Sequence, residues 1–131
     1  MAKVSVVIPS FNHGPTLEYA IESVRRQSFE DFELLIVGDG ISDAGREVAQ
    51  RAEAADPRVR FFDNPKGEHH GELHRDAAIR AASGEVIAYL GDDDVWFPDH
   101  LEAMLDLLLA VIRSADQHVA QMVEPFAQAL G

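Results

Sequence analysis

The sequence predicts an α/β fold in which a mostly parallel sheet of about four strands is flanked by helices. Short apolar runs and helical patterns alternate four times along the chain, as they do in βαβ units. Hydrophobic residues fill most positions of the first two runs rather than every second position, which is typical of strands buried on both faces. Turn-forming residues such as glycine, proline, asparagine or aspartate follow each run, so the runs end sharply.

The first half of the chain contains two strands and two helices. VSVVI, at 4–8, is the first strand, and a helix from Pro15 to about Gln27 follows it. FELLIV, at 32–37, is the second strand, and the next helix covers 43–55 with Ser42 as its N-cap.

The second half repeats this order and ends in a longer helical pattern. A short strand at 59–62 precedes a helix at 72–83, with Gly84 expected in the left-handed conformation at its end, and 85–90 is the fourth strand. The helix after Pro98 has an apolar stripe that we expect to be core, and Pro125 predicts a kink or break in its tail. The stripe consists of Leu101, Met104, Leu105, Leu108 and Ile112. We expect a domain at 1–112 and a helical tail at 113–131.

Composition excludes several functional classes. A net charge of -12 argues against nucleic-acid binding, which needs a basic face. The chain has no cysteine and no run of about 18 apolar residues, so disulfides, thiolate metal sites and a membrane span are not expected, and the cytoplasm is the expected compartment. An acidic protein that binds an anion usually needs a cation between the two negative charges. The acidic loops are therefore the candidate cation sites.

Three polar loops follow predicted strands: PSFN, GDGISD and GDDD. Parallel sheets bind ligands at the carboxyl ends of their strands, where these loops would meet. Asp92, Asp93 and Asp94 form a carboxylate cluster there, and such oxygens suit Mg²⁺ or Mn²⁺ shared with substrate phosphates. Taken alone, an aspartate run before a helix is more often a solvated loop or a helix cap.

Other polar residues have two interpretations each. Asp39 is either an ordinary turn aspartate or a ligand-binding residue of the loop. GDGISDAG is not a dinucleotide-binding loop, because Asp43 occupies the third glycine position of that motif. Arg75 is a surface charge, or a phosphate partner if its helix points at the sheet edge. The histidines near the third helix are expected to be exposed residues with no special role rather than a zinc site; they are His69, His70 and His74.

Three segments, in order, resemble family 2 glycosyltransferases of the GT-A fold over roughly the first 110 residues. VSVVIPSFN resembles the opening strand and nucleotide loop, and LEYAIESVRRQSFEDFELLIVGDGISD resembles the first helix, second strand and aspartate turn. HRDAAIRAASGEVIAYLGDDDVWFPDHL resembles the Arg-Asn helix, fourth strand and D-x-D region. The resemblance implies an inverting transfer from a nucleoside-diphosphate sugar, foremost a UDP-sugar, to an acceptor hydroxyl that is not identified.

The resemblance also implies site roles. Pro9, Ser10 and Phe11 would line the base pocket, and Asp39 would bond the base edge. Arg75 would lie near the diphosphate, Asp92 near the ribose or metal, and Asp93 would be the principal ligand of Mn²⁺ or Mg²⁺. Asp94 would assist through water or cap the helix.

The chain departs from the family pattern at several positions. Gly38 and Gly91 stand where the family has aspartates, and Asp76 stands for the asparagine of the Arg-Asn pair. The general base of the family has no match, since Asp116 and Glu124 lie on the helical tail. We therefore expect a donor-binding half without its own base.

A second hypothesis is a non-catalytic nucleotide-binding or oligomerising module derived from such an enzyme. The tail would then supply a helical face for a homo-oligomer, or the same face would pack on its own sheet. This face consists of Met122, Val123, Phe126 and Leu130. A sugar-nucleotide synthesising enzyme is disfavoured, because PSFNHGP lacks a glycine run and a basic residue.

Overall fold

The structure, a computed structural model, describes residues 3–130, with side chains described for 3–124. Four strands form a parallel sheet in the order β3-β2-β1-β4, which confirms the predicted fold class. The elements are β1 Val4–Ser10, α1 Gly14–Arg25, β2 Phe32–Asp39, α2 Asp43–Ala55, β3 Val59–Asn64, α3 Glu72–Ala81, β4 Val86–Tyr89 and α4 His100–Leu130.

The two central strands form the core of the sheet. Every residue of β2 is buried, and in β1 only Pro9 is partly exposed, because helices cover both faces. The larger apolar cluster joins one face of these strands to α1, α2 and the start of α4. A smaller cluster, with Ala78 of α3, covers the other face. The β1–β2 register pairs Ser10 with Gly38, so the loops after both strands open at the same edge.

Gly84 does not take the predicted left-handed conformation. Helix α3 ends at Ala81, and Ala82 is extended. The glycines with positive φ in the described chain are Gly40 and Gly71. A Cβ at Gly84 would instead lie 2.5 Å from Ser5 Oγ and 2.6 Å from Ser5 N, so glycine is needed because the loop passes directly over β1.

Helix α1 ends at Arg25, slightly before the predicted end, and Gln27 joins α1 to the beginning of α4. Its Nε2 donates to the carbonyl oxygens of Phe97 (2.7 Å) and Ser23 (3.0 Å), and its Oε1 accepts from Leu101 N (2.9 Å). Gln27 is buried, and it fixes the position at which α4 leaves the sheet.

Two predictions for the last helix are wrong. Of the stripe that we expected to be core, only Leu101 and Leu105 are buried, because α4 projects beyond the sheet after them. Of the kink or break expected at Pro125, the break is absent, since α4 runs from His100 to Leu130. A proline removes one helical hydrogen bond, and on a projecting helix the carbonyl it leaves can be hydrated. No helix within the described residues is long and apolar enough to span a membrane.

Candidate functional site

An open cleft lies at the carboxyl ends of β1, β2 and β4. Its volume is about 170 Å³, smaller than typical ligand pockets, so a ligand would remain partly exposed in it. Five of the predicted site residues line the cleft together. The full lining is Pro9, Ser10, Phe11, Asn12, His13, Asp39, His70 and Asp92.

Asp92 is the fixed member of the aspartate run. It is 8% exposed, and Ser10 Oγ donates to its Oδ2 at 2.9 Å while His13 Nδ1 donates to its Oδ1 at 2.9 Å. Thr16 Oγ1 donates to its main-chain oxygen at 2.9 Å. These bonds tie the β4 loop to the turn between β1 and α1, so the carboxylate has one defined orientation.

His13 is a cleft residue that sequence reasoning missed. It occupies the N-cap position of α1, where its side chain makes no capping bond, and its ring is about half exposed. The hydrogen bond and charge of Asp92 raise the pKa of His13, and Asp93 adds a smaller effect in the same direction. A histidine in the turn between a strand and a helix at the binding edge was the available signal.

Asp39 is held at the end of β2 by the following loop. It is 8% exposed; Lys66 Nζ lies 2.7 Å from Oδ2, and Gly67 N donates to Oδ1 at 2.6 Å. Burial alone would raise its pKa, but the Gly67 N–H and the Lys66 ammonium outweigh burial, and the pKa of Asp39 is lowered. Asp39 is thus a buried, ionised carboxylate.

Lys66 also approaches Phe11, the aromatic residue of the cleft. Its Nζ lies 5.3 Å from the centre of the Phe11 ring, within the range of a cation–π contact. Sequence reasoning did not identify Lys66, because it lies in a polar loop distant in sequence from both partners. The lysine brings positive charge to a cleft edge that otherwise carries carboxylates.

His69 and His70 lie in the loop before α3, whereas His74 lies in the first turn of α3, and the expectation that all three are exposed is wrong for His74. Its Nε2 donates to the Pro65 oxygen at 2.9 Å and lies 3.7 Å from Asp39 Oδ1. His70 is exposed and lines the cleft. His69 is also exposed, and its backbone is in the left-handed region with φ of 57°. Among the described residues, no group of three or more His, Cys, Asp or Glu side chains is arranged to hold a metal.

Arg75 lies beside the cleft rather than in its lining. Its Nη1 donates to the His70 carbonyl oxygen at 2.6 Å, which holds the loop that carries His70. Arg75 is partly exposed, and a guanidinium has five N–H donors, of which this bond uses one.

Asp93 and Asp94 are exposed and do not line the cleft. Their carboxylates lie over Gly91: a Cβ there would be 3.2 Å from Asp93 Oδ1 and 2.7 Å from Asp94 Oδ2. The interpretation of Asp94 as a helix cap is wrong, because α4 begins only at His100. Two exposed carboxylates over one glycine fit a hard cation that takes its remaining ligands from phosphates and water.

Comparison with known proteins gives a consistent picture. The family model Glycosyl transferase family 2 matches residues 5–112. A Campylobacter jejuni GalNAc(5)-diNAcBac-PP-undecaprenol beta-1,3-glucosyltransferase is 35% identical over 94 residues, which are 72% of this chain and 30% of the relative. The Escherichia coli UDP-Glc:alpha-D-GlcNAc-diphosphoundecaprenol beta-1,3-glucosyltransferase WfgD is 33% identical over 106 residues, 81% of this chain and 41% of the relative. The chain therefore spans less than half of these relatives.

Solved structures share the fold. A mannosyltransferase from Pyrobaculum calidifontis, in complex with GDP-Man and Mn²⁺, superposes with a TM-score of 0.65 at 23% identity over 76% of this chain and 30% of the other. S. aureus TarS 1-349 in complex with UDP-GlcNAc gives a TM-score of 0.71 at 20% identity over 79% of this chain and 30% of the other. At these identities the likeness establishes the fold.

Proposed function

The chain belongs to glycosyl transferase family 2, and we propose that it is a glycosyltransferase, or the donor-binding portion of one, that uses a nucleoside-diphosphate sugar. The observation that carries this proposal is the cleft, where Asp39 and Asp92 lie with an exposed aromatic ring at one edge of the parallel sheet. This is the edge at which such sheets bind ligands. The sugar would pass to an acceptor hydroxyl with inversion.

The base would occupy the side of the cleft formed by β1 and β2. Phe11 is 45% exposed and offers a ring for stacking, with Pro9 and Ser10 beside it. Asp39 has two donors in the structure, and a carboxylate has about four acceptor sites, so it retains capacity for an N–H on the base edge. Uracil presents such an N–H, which supports a UDP-sugar as the donor.

The ribose and diphosphate would extend toward Asp92. The protonated form of His13 brings a positive charge to this side, and the amino terminus of α1 attracts anions. Arg75, beside the cleft, would reach the diphosphate with its remaining N–H groups. The chain has a net charge of -12, so binding of a negatively charged diphosphate depends on these nearby positive groups.

Asp93 would be the principal ligand of Mn²⁺ or Mg²⁺, with Asp94 and Asp92 assisting. When bound, such an ion neutralises the diphosphate and stabilises it as the leaving group. Asp92 already accepts one bond at each oxygen, so it would use its remaining acceptor sites to assist the ion and to orient the ribose. Asp93 is exposed at the tip of the loop and takes no part in these hydrogen bonds.

Transfer to a hydroxyl requires a general base, and we assign that role to none of the described residues. Asp116 and Glu124 lie on the exposed part of α4, which projects from the sheet. The proposed roles of the cleft residues and of Asp93 are therefore confined to donor binding and leaving-group departure.

Calorimetric titration of UDP into the chain with Mn²⁺ tests the proposal. We expect binding that is lost with EDTA and weakened about tenfold or more by Asp93→Ala, as expected for removal of a ligand from a metal site. Asp99→Ala is the matched control, because Asp99 is an exposed aspartate of the same segment outside the cleft.

Two outcomes would contradict this proposal. Absence of UDP and GDP binding under every condition would favour a module that keeps the fold without donor binding. Binding that is equally strong with EDTA and in Asp93→Ala would show that the aspartate run is a solvated loop.

A further inference from the structure

Helix α4 carries an apolar stripe with the spacing of a coiled coil. Successive members are alternately four and three residues apart over more than three turns, which is a heptad repeat with apolar a and d positions. We call this surface the α4 stripe, and its members are Leu101, Leu105, Leu108, Ile112, Ala115, Val119 and Met122.

Within the described part of the chain, only the beginning of the α4 stripe is covered. Leu101 and Leu105 pack into the core, whereas residues 106–124 are all exposed. Exposure rises along the helix, from 39% at Leu108 to 57% at Val119 and 60% at Met122. The interpretation in which Met122 and Val123 pack on the sheet is therefore wrong, and Phe126 and Leu130 lie outside the described side chains.

The exposed stripe continues into a groove beside the edge strand. This groove has a volume of about 300 Å³, and its lining includes Ile87 and Tyr89 of β4 with Met104 and Leu108 of α4. Tyr89 is 52% exposed. Together, the groove and the stripe make one continuous apolar surface along the side of the molecule, of the kind that marks interaction sites.

We propose that a second copy of this chain covers the α4 stripe through its own α4. In a coiled coil, each apolar side chain enters a hole between four residues of the partner helix. A helix with a repeat of 3.5 residues therefore needs a partner with the same repeat, so that the two apolar stripes stay in contact along their length. A second copy of α4 has this repeat. Ile112 and Val119 occupy a positions and Leu108 and Met122 occupy d positions, which suits a two-helix pair.

Three flanking residues widen the contact. Leu109, Val111 and Val123 border the α4 stripe and are 36%, 58% and 54% exposed. Residues 108–124 extend over about 25 Å at 1.5 Å per residue, so a second helix would bury a long apolar surface and also cover the groove at β4. An isolated helix is marginal in water without such packing.

The net charge of -12 opposes association of two copies, so we expect association to strengthen with salt.

Sedimentation equilibrium of the intact chain, from low micromolar to millimolar concentration, tests this proposal. We expect a monomer–dimer equilibrium that Val119→Glu weakens about a hundredfold or more, as for a central apolar anchor of an interface. Gln117→Glu adds the same charge to the exposed opposite side of α4 and should leave the dimer intact. Because both positions are exposed, the sheet domain should remain folded, and near-ultraviolet circular dichroism of Trp96 would verify this.

Three results would overturn the proposal. The chain could remain monomeric over the whole range, or Val119→Glu could associate as well as the unaltered chain. Equal weakening by both variants would show an effect of charge rather than of the stripe. None of these results depends on UDP binding, so failure here is distinguishable from failure of the proposed function.

Discussion

Asp39 and Asp92 are equally buried, at 8% exposure, but different cations neutralise them. Asp39 faces the lysine ammonium of Lys66, and the Gly67 N–H and this ammonium together lower the pKa of Asp39. Asp92 faces His13, and an imidazole changes charge near neutrality. The side of the cleft around His13 and Asp92 is therefore the side whose charge changes with pH near neutrality.

We predict that His13 titrates above its ordinary pKa of 6.5 and that Asp92→Asn lowers its pKa toward that value. Because the folded-state pKa is raised, the pair's stabilising contribution is full below pH 6.5 and is lost as the pH rises through the raised pKa. Nuclear magnetic resonance titration of the His13 ring without metal measures the shift.

Asp99→Asn is the control for this titration, because Asp99 is not among the groups that act on His13. Asp93→Asn should lower the His13 pKa less than Asp92→Asn, since Asp93 acts only through its charge. An unchanged His13 pKa in Asp92→Asn would refute the ion pair seen in the structure.

At this scale, the sequence predicted which residues gather and not how they are held. Family resemblance identified eight residues, of which Pro9, Ser10, Phe11, Asp39 and Asp92 line the cleft, whereas Arg75, Asp93 and Asp94 do not. It did not identify His13 or Lys66, whose partners are 79 and 27 residues away along the chain. Contacts at such separations depend on the fold and leave no local pattern.

The elements were predictable where their signals are local. Helix α2 has the bounds and the Ser42 cap that the sequence indicates, because capping depends on neighbouring residues. The end of α3 and the burial of α4 were not predictable in the same way. Gly84 is determined by its approach to Ser5, and the α4 stripe has the same periodicity whether it faces a core or another chain.

Gln27 shows how one buried amide sets the arrangement of two helices. We predict that Gln27→Leu lowers the free energy of unfolding by about 2–3 kcal/mol, because the Phe97 oxygen and the Leu101 N–H lose their partner. Urea denaturation monitored by Trp96 fluorescence measures this loss, and Trp96 packs against the affected core.

The same substitution at Gln50 is the control for Gln27→Leu. Gln50 is exposed on α2, so its replacement should change stability by no more than about 0.5 kcal/mol. If Gln27→Leu were as neutral as Gln50→Leu, the amide would not be the link that fixes the beginning of α4.

Across the whole molecule, the binding cleft and the projecting helix are separate features. The cleft is built from β1, β2, β4 and the loops that follow them, whereas residues 106–124 of α4 are all exposed. We therefore propose that 1–112 is the donor-binding domain and that 113–131 is a tail concerned with association.

Removal of residues 113–131 tests this division of the chain. The last buried position of α4 in the described residues is Leu105, so in dilute solution the shortened chain should unfold within a few degrees of the full chain. At high concentration the full chain should melt at a higher temperature, since association stabilises the folded state by mass action, and the shortened chain should lose most of this dependence. UDP binding should be the same in both. If the shortened chain were unfolded, the tail would belong to the domain. If its melting temperature still rose with concentration as steeply as that of the full chain, the contact between copies would lie elsewhere.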